Sequence, residues 1–433
     1  MTPNPKIVQS VEKLNYRVTV GDVAAQAGLE LNFAQQGLLA LASVAGGHLQ
    51  VAESGDVVYL FPKNFRSILR NKYWQLRWQQ TWQKIWRVLF YIIRISFGIV
   101  LIASIVLMLA AILVIIIAAN SSSDEREGNR GYGGGYGGGF FVPHFWFGDI
   151  FWCFDPGYNR RRRLRRRQTA GYQMNFLESV FSFLFGDGNP NGELEEYRWQ
   201  AIGSVIRNNK GSVIGEQIAP YVDEVDEYED YMIPVLSRFN GYPEVSPQGD
   251  IVYYFPELQV MASRRQAEPL PSTGCLQEKL WRFSQASGGQ ITLAAGLGIL
   301  NIILAFVLET LLQDGQIAAQ LGGVVALADS LSWFLLGYGI LYLLIPLVRY
   351  FWIQGRNPKI IKRNQAREQR AIALAKPDPS LQQKLAYADR FAEQKIISDR
   401  DITYTTENDL LDQNILNADK IDRDWQKRID GNH

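Results

Sequence analysis

Gly55-Asp-Val-Val-Tyr-Leu-Phe-Pro62 and Gly249-Asp-Ile-Val-Tyr-Tyr-Phe-Pro256 are one pattern written twice, 194 residues apart. Extending that offset outward brings Val51 onto Val245, Gly47 onto Gly241, Ala25 onto Ala219 and Gly21 onto Gly215. Leu38, Leu39, Leu41 and Ala42 fall on Met232, Ile233, Val235 and Leu236, the spacing of one buried helical face. Val8 and Val11 fall on Ile202 and Val205. An offset that carries a turn, glycine stops and a core face marks a duplicated module, and one register is expected to serve all of it.

In the first copy the pattern predicts a helix from Lys6 to Leu14, an extended Arg17 to Val20, and a helix from Gly21 to Ala27 closed by Gly28. A third helix follows over Asn32 to Val44, with Asn32 as its cap and Gly46-Gly47 as its stop. Strands His48 to Ala52 and Val57 to Phe61 flank the turn Glu53-Ser-Gly-Asp56. Three helices and a hairpin, in that order, are the plan of a winged-helix domain, with Val18 to Leu29 opening its helix-turn-helix. Residues 1–62 and 193–260 are therefore expected to be two winged-helix-like modules. Pro234, inside the second copy's third helix, should kink or shorten it.

Between and after these copies lie segments too long and too apolar for a globular core. Val88 to Ala119 exceeds the roughly 20 residues that a membrane span needs. Ile291 to Leu312 and Trp333 to Tyr350 read as a second and a third span, with Ala294 and Gly298 as a small-xxx-small pair for close helix approach. The fold class expected is thus mainly α with small β-hairpins: a helical membrane protein carrying two α+β modules. Residues 63–87 form a basic, tryptophan-bearing juxtamembrane helix, 120–192 a tether region, 261–290 a linker and 351–433 a polar helical tail, with helices expected at 364–375 and 380–397.

Basic flanks set orientation, because Lys and Arg near span ends stay on the cytoplasmic side. Lys63 to Arg87, the arginines between the first two spans, and Arg349 to Arg370 all claim that side. Three crossings cannot satisfy them all. Phe140 to Phe154, aromatic but too short for an ordinary span, is the expected return passage, which sets both modules on the cytoplasmic (stromal) face.

Local clusters supply the candidate sites. Arg160, Arg161, Arg162, Arg163, Arg165, Arg166 and Arg167 form a patch suited to anionic lipid headgroups. Phe176 and Phe181 belong to an apolar stripe, with Leu177, Val180 and Leu184, expected to lie in the interface beside those arginines. Trp74, Trp78, Trp82 and Trp86 recur every fourth residue as an interfacial belt. Gly131 to Gly139 lacks the Lys-Ser or Lys-Thr of a phosphate loop and reads as a tether.

Composition narrows the function classes. With 44 Lys plus Arg against 43 Asp plus Glu, nothing global draws the chain to nucleic acid. The first copy's third helix carries no cation, and the second is led in by Asp223, Glu224, Asp226, Glu227, Glu229 and Asp230, which would repel a phosphate backbone. Two cysteines, Cys153 and Cys275, fall short of the four thiolates an iron–sulfur cluster usually takes, and His48, His144 and His433 are the only histidines. No catalytic motif is found, so no catalytic, cofactor or metal residue is named. The expectation is a non-enzymatic membrane scaffold or assembly-type protein that meets anionic lipids and other membrane or cytoplasmic proteins. A membrane-tethered DNA-binding regulator and an iron–sulfur assembly component stand as alternatives, and the oligomeric state is left open.

The doubled Gly55 to Pro62 motif, the Gly/Tyr tether and Phe176-Leu-Glu-Ser-Val-Phe-Ser-Phe-Leu-Phe-Gly-Asp-Gly-Asn-Pro-Asn191 together resemble a family of uncharacterised cyanobacterial membrane proteins with plastid relatives in plants. Its members are sometimes catalogued under iron–sulfur cluster biosynthesis. The resemblance implies a thylakoid or plasma membrane setting and transfers no functional residue.

Overall fold

The computed structural model describes residues 4–72, 74–121, 174–263, 274–312 and 316–407, with scattered positions up to 429. The chain is mainly helical with small sheets. It divides into two compact units, one of Met1–Trp82, Asn191–Lys279 and Lys359–His433, the other of Gln83–Pro190 and Leu280–Pro358.

The first unit opens with α1 (Pro5–Lys13), β1 (Arg17–Val18), α2 (Val20–Ala27), α3 (Leu31–Ala45), β2 (His48–Ala52), β3 (Val57–Leu60) and α4 (Phe65–Lys72). Local chemistry sets these limits. Asn4 accepts the Lys6 N–H and Pro5 occupies the first turn of α1, while Thr19 and Asp22 close a capping box on α2. Gly28 and Gly46 end α2 and α3 in the left-handed conformation. Asn32 is not the cap expected of it: α3 starts one residue earlier, with Glu30 at the N-cap.

After α5 (Trp74–Ser121) and α6 (Phe176–Phe185) the order recurs as α7 (Leu194–Asn208), β4 (Ser212–Val213), α8 (Gly215–Ile218), α9 (Ile233–Phe239), β5 (Tyr242–Val245) and β6 (Ile251–Tyr254). Both hairpins take their first short strand on the same side, in the orders β1-β3-β2 and β4-β6-β5. Backbone bonds recur with them. Tyr16 N–H meets Val11 C=O as Gly211 N–H meets Ile206 C=O, and Gly47 N–H meets Ala42 C=O as Gly241 N–H meets Leu236 C=O.

The first of these pairs lies 195 residues apart and the second 194, so the single register read from the sequence is corrected by one residue over the first half. The slip is absorbed before α9, which has 7 residues where α3 has 15. Pro234 sits in the first turn of α9, where a missing N–H costs nothing, so it starts a shortened helix rather than kinking a long one. Ile7, Val11, Leu38, Leu41 and Phe61 share one hydrophobic core with Ile202, Val205, Phe239 and Phe255. At Gly203 the backbones of α7 and α2 come so close that a Cβ would stand 2.9 Å from the Ala25 Cα.

Among its described residues the second unit holds α6 and three helices long and apolar enough to cross a membrane: Ile85–Asn120 of α5, α11 (Gly288–Leu312) and the start of α14 (Ser332–Ala375). Two short helices, α12 (Gln316–Leu321) and α13 (Gly323–Ser330), connect the last two. Asn301 Nδ2 donates to Ser104 Oγ at 2.5 Å, and Tyr338 OH donates to the Phe97 carbonyl at 2.9 Å. At Gly298 an added Cβ would lie 2.5 Å from the Tyr342 ring, so the small residue is what lets α11 and α14 meet.

α14 runs on through Pro346 and Pro358, and the helix expected at 364–375 is its continuation. The helix expected over 380–397 is corrected: α15 (Pro379–Ala388) stops short, and strands follow. β8 (Lys395–Ile396) pairs in parallel with β7 (Val260–Met261), which follows α10 (Pro256–Gln259). β9 (Ile402–Thr405) pairs with the outer edge of β2. Its Ile-Thr-Tyr-Thr sequence is β-branched and aromatic, suited to a pleated edge.

Candidate functional site

Charged side chains of the first unit converge at three joints. At the first, the buried Asp22 carboxylate accepts N–H bonds from Thr19 at 2.9 Å and Ala262 at 3.1 Å, and a guanidinium bond from the buried Arg207 at 2.5 Å. Nearby, Arg17 Nη1 donates to the carbonyls of Ala262 and Ile397 at 2.5 and 2.9 Å, and its Nη2 faces Asp399 at 3.2 Å.

At the second joint Arg363 grips Glu278 through two 2.7 Å bonds, and the fully buried Arg367 reaches both Glu278, at 3.0 Å, and Asp223. Asn364 clamps the Glu278 backbone, accepting its N–H at 3.0 Å and donating to its C=O at 2.9 Å. The bonds from Arg363 hold the Glu278 carboxyl below its usual range against the opposing effect of burial, with help from Arg367. Burial alone would raise Asp223, but Arg367 and Arg198 together hold it low.

At the third, Lys384 Nζ stands 2.9 Å from both Glu216 and Glu229, and Tyr253 OH donates to Glu229 at 2.8 Å. Burial works against the Lys384 charge, yet the two carboxylates raise its pKa above the ordinary value. Burial and the neighbouring Glu229 push the Tyr253 hydroxyl upward, so it serves as a donor.

Most of these groups are spent on one another, although Arg17 Nη2 and Glu216 Oε2 are buried without a hydrogen-bond partner among the described residues, and their chemistry is that of fastening. Among the described residues no three His, Cys, Asp or Glu gather as metal ligands. Cys275 is buried near Tyr221, whose hydroxyl is pushed up to about 12, first by burial and then by that thiol. Cys153 lies outside the described residues.

The outward surfaces differ in kind. α3 exposes Phe33 and Leu39 among Asn32, Gln35, Gln36 and Ser43, with no Lys or Arg. The approach to α9 exposes Val225, Tyr228 and Ile233 among Glu224, Asp226, Glu227 and Asp230. Two arginines of the second module point inward, Arg207 to Asp22 and Arg238 to the Gly28 carbonyl and over the Trp199 ring, and Arg370 of α14 reaches the Ala219 and Val222 carbonyls, while Lys6, Lys13 and Lys210 stay exposed.

Of the residues singled out from the sequence, Arg160 to Arg163, Arg165 to Arg167, the Gly131 to Gly139 tether and Phe140 to Phe154 lie outside the described residues, as do the side chains of Trp74 and Trp78. Trp82 and Trp86 are exposed. Phe176 is half-buried at the start of α6, and the Phe181 ring packs against Phe90, Phe97 and Phe185 at 6.0, 5.9 and 5.1 Å. Sequence reasoning missed a second aromatic cluster at the end of the third apolar stretch, where Arg356 lies over Trp281 and Trp352 at 5.2 and 4.9 Å. It also missed Asp22, Arg207, Arg367 and Lys384. Only Asp22 carried a local signal, as the third residue of a capping box; the three cations look like any others in their flanks.

No family model matches this chain, and no solved structure matches it. A protein of Arabidopsis thaliana, "Uncharacterized protein At5g03900, chloroplastic", is 37% identical over 437 residues, covering 98% of this chain and 82% of the plant protein. An agreement of this extent over nearly the whole chain is that of common descent, and the chain belongs to the family of this chloroplastic plant protein.

Proposed function

We propose that this protein is an integral membrane scaffold of the plastid type, in which two winged-helix-like modules fused into one body hold other proteins at a membrane. The order helix, strand, helix, helix, hairpin, with the first strand joining the hairpin, supports the winged-helix reading of both copies. The observation that carries the functional reading is α3 of the first module. In a DNA reader this helix supplies Arg, Lys, Asn or Gln to phosphates and bases. Here it exposes two large apolar side chains and no cation, while Arg207 and Arg238 are spent on internal bonds. A surface of that kind suits a protein partner.

Affinity purification of the full chain from its native membrane is the direct test. Co-purifying subunits that are lost from a Phe33→Glu, Leu39→Glu variant of unchanged thermal stability are expected. Unchanged subunits would refute the role of α3, and a purified chain that shifts duplex DNA with a steep salt dependence would favour a tethered regulator instead.

A further inference from the structure

The two modules treat the outer edges of their hairpins in opposite ways. In the first, Ala52 N–H bonds inward to Asp56, so the N–H groups of Leu49, Val51 and Glu53 face out. The chain's own tail meets them. Leu49 N–H donates to Thr406 Oγ1 at 2.9 Å, Thr406 N–H returns a 2.9 Å bond to the Leu49 carbonyl, and Glu53 N–H donates to the Asp401 carbonyl at 2.9 Å. In the second module Ser246 N–H bonds inward to Asp250, so the outward positions are 243, 245 and 247. Two of those three are prolines, Pro243 and Pro247, which have no N–H to offer. One copy has closed its edge chemically, and the other has kept its donors.

The cover on the open edge is makeshift. Its register shifts between Val51 and Ala52, and one donor is met by a side-chain hydroxyl instead of a carbonyl. The ion pairs that tether it, Lys395 with Asp56 and Arg17 with Asp399, involve partly or largely exposed groups, which hold weakly. The turn leading into β9 is a short polar one, in which Asp401 Oδ2 accepts from the backbone and hydroxyl of Ser398.

We propose that the outer edge of β2 is a docking site for the Asp401–Thr406 segment of a second copy of this chain, so that two copies exchange tails. A second copy presents the same carbonyls, hydroxyls and N–H groups, so every bond to β2 is kept and only the path of residues 397–401 changes. Confinement to one membrane raises the effective concentration of one copy for another. The exchange stands apart from the scaffold reading, since it needs no other protein.

Gln50 and Thr405 face each other across the pair. The test uses the full chain in vesicles, with Cys153 and Cys275 replaced by alanine. One tagged copy carries Gln50→Cys and a differently tagged copy Thr405→Cys, and the two are co-expressed and mildly oxidised. A disulfide between the two tags is expected, and it should disappear when Leu49→Pro or, separately, Glu53→Pro gives the first module the closed edge of the second. A disulfide that forms only within single chains carrying both cysteines would overturn the exchange. So would an inter-chain disulfide that survives both proline variants. Equal suppression of the bond by a 399–407 peptide and by an unrelated extended peptide would overturn the assignment to a second copy.

Discussion

Asp22 is the residue on which the first of the three joints converges, since it caps α2, fixes the Ala262 backbone and neutralises Arg207. Removing one partner strands the other as a buried charge, so Asp22→Ala should lower unfolding stability by about 3–5 kcal/mol. Joint replacement of Asp22 by Asn and Arg207 by Met should cost less, and thermal unfolding of the purified full chain measures both. Glu278 and Asp223 make a separate, pH-dependent contribution. Their carboxyls are depressed in the folded chain, so the stabilisation is present above the ordinary carboxylate range near 4 and is lost as pH falls through the lower folded values. Glu278→Gln should therefore lower the midpoint at neutral pH and flatten its decline in acid. The raised Lys384 has the opposite sign: its contribution is complete below about 10.4 and is lost only as pH rises through the folded value. None of these joints was legible in the sequence. Their central ion pairs, Asp22 with Arg207, Glu278 with Arg363 and Arg367, and Lys384 with Glu216, join residues distant in the chain, and a charge gives no local sign of the partner it will find.

The helices were readable where composition or period decides and unreadable where a partner decides. Apolar length announced α5, α11 and α14, and the Ala294–Gly298 spacing announced a close approach that the Tyr342 ring now fills. Gly298→Val should overpack this contact at a cost of about 1–3 kcal/mol, seen as a lower melting point in detergent. Asn301→Val, which removes the bond to Ser104, should cost roughly 1 kcal/mol or less, because polar contacts between membrane helices are individually weak. A larger loss for Asn301 than for Gly298 would reverse this ranking. The repeat was legible from its turns, Gly55-Asp56 and Gly249-Asp250, because turn chemistry is local. Its one-residue slip was not, since identical residues are scarce in the half that slips. β8 and β9 escaped notice for a third reason: strands of 2 and 4 residues have no period of their own, and their partners lie far back in the chain.

At the scale of the whole chain, a shared hydrophobic core ties both modules to one side of any membrane that the apolar helices cross. Single cysteines at Ser54 and at Gln248 should be labelled from the same face of intact and inverted vesicles; labelling from opposite faces would contradict the shared core. The pairing of β9 with β2 has a consequence in time as well. Ribosomes deliver the first module's hairpin some 350 residues before the strand that finishes its sheet, with the long apolar helices of the described residues emerging in between. When that fourth strand comes from the same chain, the sheet reaches its final form only after the last of the long apolar helices has been made. A nascent chain broken off at any earlier codon leaves an unpaired edge exposed, a flag by which quality-control proteases can tell a truncated product from a finished one.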